Sequence, residues 1–197
     1  MGEAAGTRDR ILETARELFS ANTYRASTMR ELAARLGITK PSLYHHFTSK
    51  SEILEHLVRA PIEALAAAVD AAEQAGPEEA GSVLLRGCIA VVTEHREVML
   101  LLFRDASVYT DESSTQIVAD VVSTVDRAVA VLAGPEPDWR RRLRAAQAFA
   151  AATDPVGQFA DAPLDELREE LYLGAASLLD QPSAVSVRER SADGSRH

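Results

Sequence analysis

Cysteine is almost absent from this sequence: 197 residues contain one, Cys88. A single thiol forms no internal disulfide and no cysteine zinc site. Long apolar runs are also missing. No stretch of 18 apolar residues is free of charge, which excludes a transmembrane helix. The opening MGEAAGTRDR lacks the apolar block of a secretory leader, so no signal peptide and a cytoplasmic location are expected. Aromatics make up 5%, with 10 glycines and 8 prolines. Few breakers and abundant alanine favour helix. Positive charge is not in excess: the net charge is -9, which argues against coating nucleic acid by bulk charge. What is present is 46% hydrophobic and 26% charged residues, enough to bury a core in one domain or two small ones.

The charge is unevenly placed. Residues 1–60 carry 9 Lys/Arg and 7 Asp/Glu, while residues 61–197 carry 12 and 23. Both lysines of the chain, Lys40 and Lys50, fall in the first segment. A mildly basic head on an acidic body implies that only the head meets a polyanion.

Apolar residues recur at helical spacing throughout, with no strand alternation and no internal repeat. Residues 1–6 are expected to be loose and Thr7 to cap a first helix with the stripe Ile11, Leu12, Ala15, Leu18 and Phe19. The stripe stops at Ala21-Asn22-Thr23-Tyr24. Thr28 and Glu31 have capping-box spacing. They start a helix that buries Met29, Leu32, Ala33 and Leu36 and ends on Gly37, where a left-handed residue is needed. Thr39 caps a short helix from Pro41 to about Phe47, with proline in the first turn, where its missing amide costs little. Ser49 and Glu52 form a second capping box and start a helix at Lys50 or Ser51. Pro61 should bend that helix, making a joint between head and body. The body predicts helices over 78–94, 96–107, 112–133, 137–160 and 163–180, with a kink near His95, a stop at Gly134-Pro135 and a kink at Pro155. The helix over 137–160 is apolar nearly all round and needs cover on more than one side. On the last helix Leu164, Leu167, Leu171, Ala175 and Leu178 form a stripe, and Gly174 allows close approach. The tail 182–197 has no period and reads as disordered.

Two short helices around a glycine turn have helix-turn-helix spacing. In that motif the second helix enters the major groove and its first residues reach base edges. Lys40, Ser42, Tyr44 and His45 are donors on the exposed face of the second helix, and Lys50 stands at the next helix start. The starts at Thr39 and Ser49 offer amides and a positive dipole end to phosphate. Thr28 is first a cap and then a candidate phosphate contact. Pro41 shapes the turn and can touch a thymine methyl, and His46 packs behind the reading face.

Residues 8–54 resemble the DNA-binding head of the TetR family of bacterial transcriptional regulators. The resemblance rests on Ile11-Leu12, Ala15, Leu18-Phe19, Tyr24, Ser27-Thr28-Met29, Leu32-Ala33, Leu36-Gly37-Ile38-Thr39 and the string LYHHF followed by TSKSEIL. Two positions depart from it. Thr23 stands where the family usually has glycine, and Pro41 where glycine is frequent. The resemblance implies an all-α protein of about nine helices. A helix-turn-helix head (7–54) would sit on a helical ligand-binding and dimerisation body (55–181), followed by the tail. It further implies a homodimer on double-stranded DNA with a palindromic operator, recognition helices roughly 34–36 Å apart, and helices 137–160 and 163–180 forming the dimer bundle. A small-molecule effector and repressor action complete the expectation. Cys88, Val92, Met99, Leu102, Phe103, Gln147, Phe149, Asp154 and Phe159 lie on helices that line the pocket in the family. Gln147 and Asp154 are the polar groups available to orient a ligand, and for each apolar position plain core packing is the simpler reading.

An activator or ligand-independent regulator would carry the same signature, and a helical module using its helix-turn-helix for protein contact is the reading of a different class. An enzyme is not expected, since no Ser-His-Asp order, glycine-rich phosphate loop or metal cluster stands out. Neighbouring His45 and His46 point about 100° apart on a helix and do not share a metal. No cofactor is expected. Arg140, Arg141, Arg142 and Arg144 are expected to be solvated or to pair with Asp165, Glu166, Glu169 and Glu170.

Overall fold

The computed structural model describes residues 2–104, 108, 115–159 and 161–180. Nine α-helices, and no strand, occur among the described residues: α1 (Gly2–Asn22), α2 (Met29–Leu36), α3 (Lys40–His46), α4 (Lys50–Gln74), α5 (Ala80–Glu94), α6 (Arg96–Arg104), α7 (Thr115–Ala133), α8 (Trp139–Thr153) and α9 (Leu164–Leu179). The chain is all-α, as expected. No helix among the described residues is long and apolar enough to cross a membrane. The expected helical positions 105–107, 112–114 and 160, and the tail 182–197, lie outside the described residues.

Three expectations are corrected. First, α1 begins at Gly2, so residues 2–6 are helical and Thr7 lies inside the helix rather than capping it. Glu3, Ala4 and Ala5 are strong helix formers and carry the helix back. Second, α8 starts at Trp139, where the Asp138 carboxylate accepts the Arg141 amide at 2.8 Å. It ends at Thr153 and passes into a 3-10 turn, Asp154–Gly157, because Pro155 has no amide to continue the ladder. Third, Leu164 is exposed, and a Cβ at Gly174 would meet nothing within 4 Å, so in the single chain neither makes the expected contact. Pro61 does lie inside α4, which continues through it.

The chain forms two compact units. The first holds residues 1–66 and 94–123: α1 to α3, the first part of α4, α6 and the start of α7. Its core sets Ile11, Leu18 and Phe19 of α1 with Leu32, Leu43, Phe47 and Leu54, all buried. Arg16 of α1 pairs with Glu97 of α6. Tyr24 meets Phe19 edge-on with ring centroids 5.3 Å apart, a favourable aromatic geometry.

The second unit holds residues 67–93 and 124–197. Here α8 and α9 pack along each other, burying Ala145, Ala148 and Ala152 with Leu167, Leu171 and Ala175. A Cβ built on Gly87 would stand 2.9 Å from the Ala68 Cβ, so α4 and α5 touch there with no room to spare. Arg127 bridges to Asp70 (2.5 Å) and Glu73 (2.6 Å), and both carboxylates hold its proton more firmly than usual. Arg86 pairs with Glu169 at 3.4 Å and lies 3.8 Å over the Tyr172 ring. Of the arginine run of α8, Arg141 and Arg142 are exposed, as a solvated helix start requires. Arg141 Nε donates to the Ala133 carbonyl (2.5 Å), Arg140 lies 4.4 Å over Trp139, and Asp165 faces Arg168 of its own helix at 3.9 Å. A guanidinium one turn from the start of α8 reaches the orphan carbonyls at the end of α7.

Candidate nucleic-acid interface

The helix-turn-helix is fixed at its turns by particular side chains. Thr28, extended at φ -128°, caps α2 by accepting the Glu31 amide at 3.1 Å. The reciprocal half of that capping box is missing, because Glu31 Oε1 accepts from Asn22 Nδ2 at 3.1 Å. Gly37 closes α2 at φ +66°, and the Ile38 amide donates back to the Ala33 carbonyl at 3.1 Å. That left-handed turn is where a side chain would be strained. Thr39 then caps α3 by accepting the Ser42 amide at 3.3 Å, with Pro41 in the first turn.

Leu43 and Phe47 face inward and are fully buried. Lys40, Pro41, Ser42, Tyr44 and His45 are exposed, with Tyr44 at 47%. Thr28 and Thr39 are exposed as well. Seven of the eight residues proposed from sequence for DNA contact therefore stand on the surface, and five of those lie on α3. His46 is half-buried, edge-on to His45 with centroids 5.6 Å apart, in keeping with a packing role.

The eighth, Lys50, is placed differently. Its Nζ donates to the carbonyls of Tyr24 (2.8 Å) and Ser27 (3.2 Å) and lies 4.1 Å over the Tyr24 ring. At the same helix start Ser49 Oγ accepts the Glu52 amide at 3.0 Å. The Glu52 carboxylate in turn accepts from the Thr48 hydroxyl and the Thr48 amide, both at 2.7 Å. Those two bonds hold the Glu52 carboxyl below the usual carboxylate range.

Sequence reasoning missed Arg8. From α1 its Nη1 donates to the His46 carbonyl at 3.1 Å, closing the end of α3. Its guanidinium lies 4.3 Å over Phe47 and 2.7 Å from His56 Nε2. Arginine only donates, so His56 Nε2 is the acceptor in this contact. The partners stand 38 and 48 residues away along the chain; no local pattern announces them.

Thr23 answers the departure noted above. It adopts φ +76° where glycine would be unstrained, so the turn keeps a left-handed backbone with a β-branched residue in it.

The candidate pocket residues are divided between the two units. Cys88, Val92 and Phe149 are buried in the second unit and Met99 in the first. Burial pushes the Cys88 thiol up to about 12, leaving it an inert core residue. Gln147, Asp154 and Phe159 are exposed, so the two polar groups singled out to orient a ligand point to the surface of the chain. The side chains of Leu102 and Phe103 lie outside the described residues. A cleft of about 400 Å³ in the first unit is lined by α4 and α7 residues, among them Val58, Ile62 and Ile117. Another of about 490 Å³ in the second unit is lined by Val129, Ala130 and Arg142 among others. None of the candidate pocket residues whose side chains are described lines either. Among the described residues no group of three or more His, Cys, Asp or Glu side chains is arranged to hold a metal.

Residues 11–57 match the family described as "Bacterial regulatory proteins, tetR family". The HTH-type transcriptional repressor KstR2 of Mycobacterium tuberculosis is 41% identical over 58 residues, 29% of this chain and 29% of that protein's length. The aligned stretch thus spans under a third of that curated relative. Over the longer length, the TetR family transcriptional regulator PfmR from Thermus thermophilus superposes with a TM-score of 0.68 at 25% identity, covering 86% of this chain and 97% of that one. AibR, solved in complex with isovaleryl coenzyme A and operator DNA, gives a TM-score of 0.64 at 21% identity, with 84% and 95% covered, a likeness of fold.

Proposed function

We propose that the chain, whose residues 11–57 match the tetR family of bacterial regulatory proteins, is a cytoplasmic transcriptional regulator: a homodimer whose paired heads read a palindromic operator, acting as a repressor released by a small molecule. One observation carries the reading. A seven-residue helix capped by Thr39 and anchored by Leu43 and Phe47 presents Lys40, Pro41, Ser42, Tyr44 and His45 outward together. Lys40 and Ser42, in its first turn, reach base edges, while Tyr44, His45, Thr28 and Thr39 position the helix on phosphate and sugar.

Exposed apolar side chains on the second unit support the dimer. Trp139 (64%) and Leu143 (50%) on α8, and Leu173 (51%) on α9 beside the open Gly174, are costly to leave in water. A second copy of the same pair of helices covers them in a symmetric bundle. The effector is an apolar or amphipathic molecule bound in the body. AibR, solved with isovaleryl coenzyme A and operator DNA, is the fold relative that favours this chemistry. The effector acts by binding one dimer conformation better than another, with Pro61 as the joint in α4. Ligand-induced release that is unchanged in Pro61→Ala would remove that joint.

The test is to sequence duplexes selected from a random pool by the purified protein and to measure affinity against salt. A palindromic consensus is expected, with log affinity falling by roughly 0.9 per phosphate contact per log unit of salt. No duplex bound at low salt, or a flat salt response, would overturn the reading. In the same assay Tyr44→Ala should weaken all sequences alike, and Lys40→Ala should relax preference at one base pair by about 1–3 kcal/mol.

A further inference from the structure

Lys50 opens α4 at the edge of the helix-turn-helix, a place where an outward ammonium would meet phosphate, yet its charge is turned inward. An ammonium has three hydrogens. Two of them serve the Tyr24 and Ser27 carbonyls at 2.8 and 3.2 Å, and the cation stands 4.1 Å over the Tyr24 ring. These carbonyls bracket the turn between α1 and α2. The Ser27 hydroxyl ties the same turn from the other side, donating to the Thr23 carbonyl at 2.7 Å. The next residue, Thr28, caps α2, and the Gly37 turn sets α3 on α2. A bond at Lys50 therefore holds the start of α4 to the start of α2, and through it the angle at which α3 is presented. Charge-assisted bonds to carbonyls are about twice as strong as neutral ones, and the turn they hold contains the strained Thr23.

We propose that Lys50 is a positioning residue, an internal clasp between the root of α4 and the helix-turn-helix, and that it does not neutralise a phosphate. The proposal rests on the DNA-binding reading above, and its test separates the two. Operator and unrelated duplex are titrated at several salt concentrations, well below the unfolding midpoint, with wild type, Lys50→Met and Lys50→Arg. Thermal unfolding of each is recorded without DNA. Lys50→Met keeps the stem over the ring and removes the donors. Lys50→Arg keeps the charge, but its planar fork does not replace an ammonium seated between two carbonyls. The clasp predicts that both variants lose operator affinity by roughly tenfold, with the wild-type salt slope, reduced discrimination against unrelated duplex and a lower unfolding midpoint. A phosphate contact predicts the opposite: Lys50→Arg binds as wild type, and Lys50→Met weakens both duplexes equally with a slope shallower by roughly 0.9. That outcome overturns the proposal. So does a lower midpoint with discrimination intact, which would make Lys50 structural only. Should wild type bind no duplex at all, the functional reading falls, while unchanged midpoints in both variants would still refute the clasp.

Discussion

The segment from Thr28 to Lys50 and the α8–α9 pair are both helical, yet they are held by different kinds of information. In the head, α2 and α3 are eight and seven residues long, too short to persist unaided. Their ends are fixed by individual residues: Thr28 and Thr39 as caps, Gly37 at φ +66°, and Ser49 at the next start. Replacing one of these by a residue of similar size removes a named bond. In the body, α8 and α9 are 15 and 16 residues long and meet through alanine and leucine faces. Many sequences satisfy such a face, because burial is non-directional. A region built on caps therefore reveals what it presents, residue by residue. A region built on packed faces reveals that something is covered and leaves the covering partner unstated.

The largest effect separates the two regions outright. Leu143→Glu with Leu173→Glu places charge on the exposed apolar faces of α8 and α9 and leaves the head untouched. The expected product is a folded monomer with operator affinity lower by roughly 10²–10⁴-fold, since two linked half-sites no longer bind together. Sedimentation and anisotropy on the same sample check this. A double variant that stays dimeric would mean that these faces are not the interface.

That division explains what the sequence made legible. The caps at Thr28, Thr39 and Ser49, the turn at Gly37 and the inward pair Leu43 and Phe47 stand in the structure as their spacing predicts, because each is a local rule complete within four residues. The outward set on α3 follows from the same rules. The bonds that Lys50 makes were not legible, because its partners, Tyr24 and Ser27, lie 26 and 23 residues back, and a terminal lysine looks solvated in any window. Arg8 was missed for the same reason. Gln147 on α8 and Asp154 in the 3-10 turn after it drew attention as polar groups near alanines, but facing is decided by which side the neighbouring elements cover. The early start of α1 and the 3-10 exit of α8 are end effects, where weak propensity or one proline decides.

Two backbone positions, one in each region, should respond with opposite sign. In the body, Gly87→Ala sets a methyl 2.9 Å from the Ala68 Cβ, which cannot swing aside. Overpacking costs about 1–3 kcal/mol and is partly offset by the better helix propensity of alanine, so a net loss of about 1 kcal/mol is expected. In the head, Thr23→Gly relieves a β-branched residue at φ +76°. The relief of about 1–2 kcal/mol exceeds the entropy cost of glycine in the unfolded chain, so a gain of about 0.5–1 kcal/mol is expected. Denaturant midpoints of the two variants check both signs. A stabilising Gly87→Ala would show that α4 and α5 have slack there, and a destabilising Thr23→Gly that the threonine hydroxyl matters more than its backbone angle.

The smallest effect tests whether the head's caps depend on charge. Glu52 accepts from the Thr48 amide and hydroxyl, both at 2.7 Å, and its carboxyl is held below the ordinary 4.5. A carboxyl whose value is lowered by folding stabilises the fold above the unfolded value and loses that contribution as pH falls through the folded one. Glu52→Gln keeps an acceptor and drops the charge. The variant should be less stable by about 0.5–1 kcal/mol at pH 7, and the difference should close once the pH is below the folded value. Glu55→Gln, one turn on, removes the partner of Arg59 on an exposed face and should change little at either pH. Equal losses for Glu52→Gln at pH 7 and at a pH below the folded value would mean that shape alone makes this cap. The start of α4 would then be held as the body is, by fit, and the contrast between the two regions would narrow to their lengths.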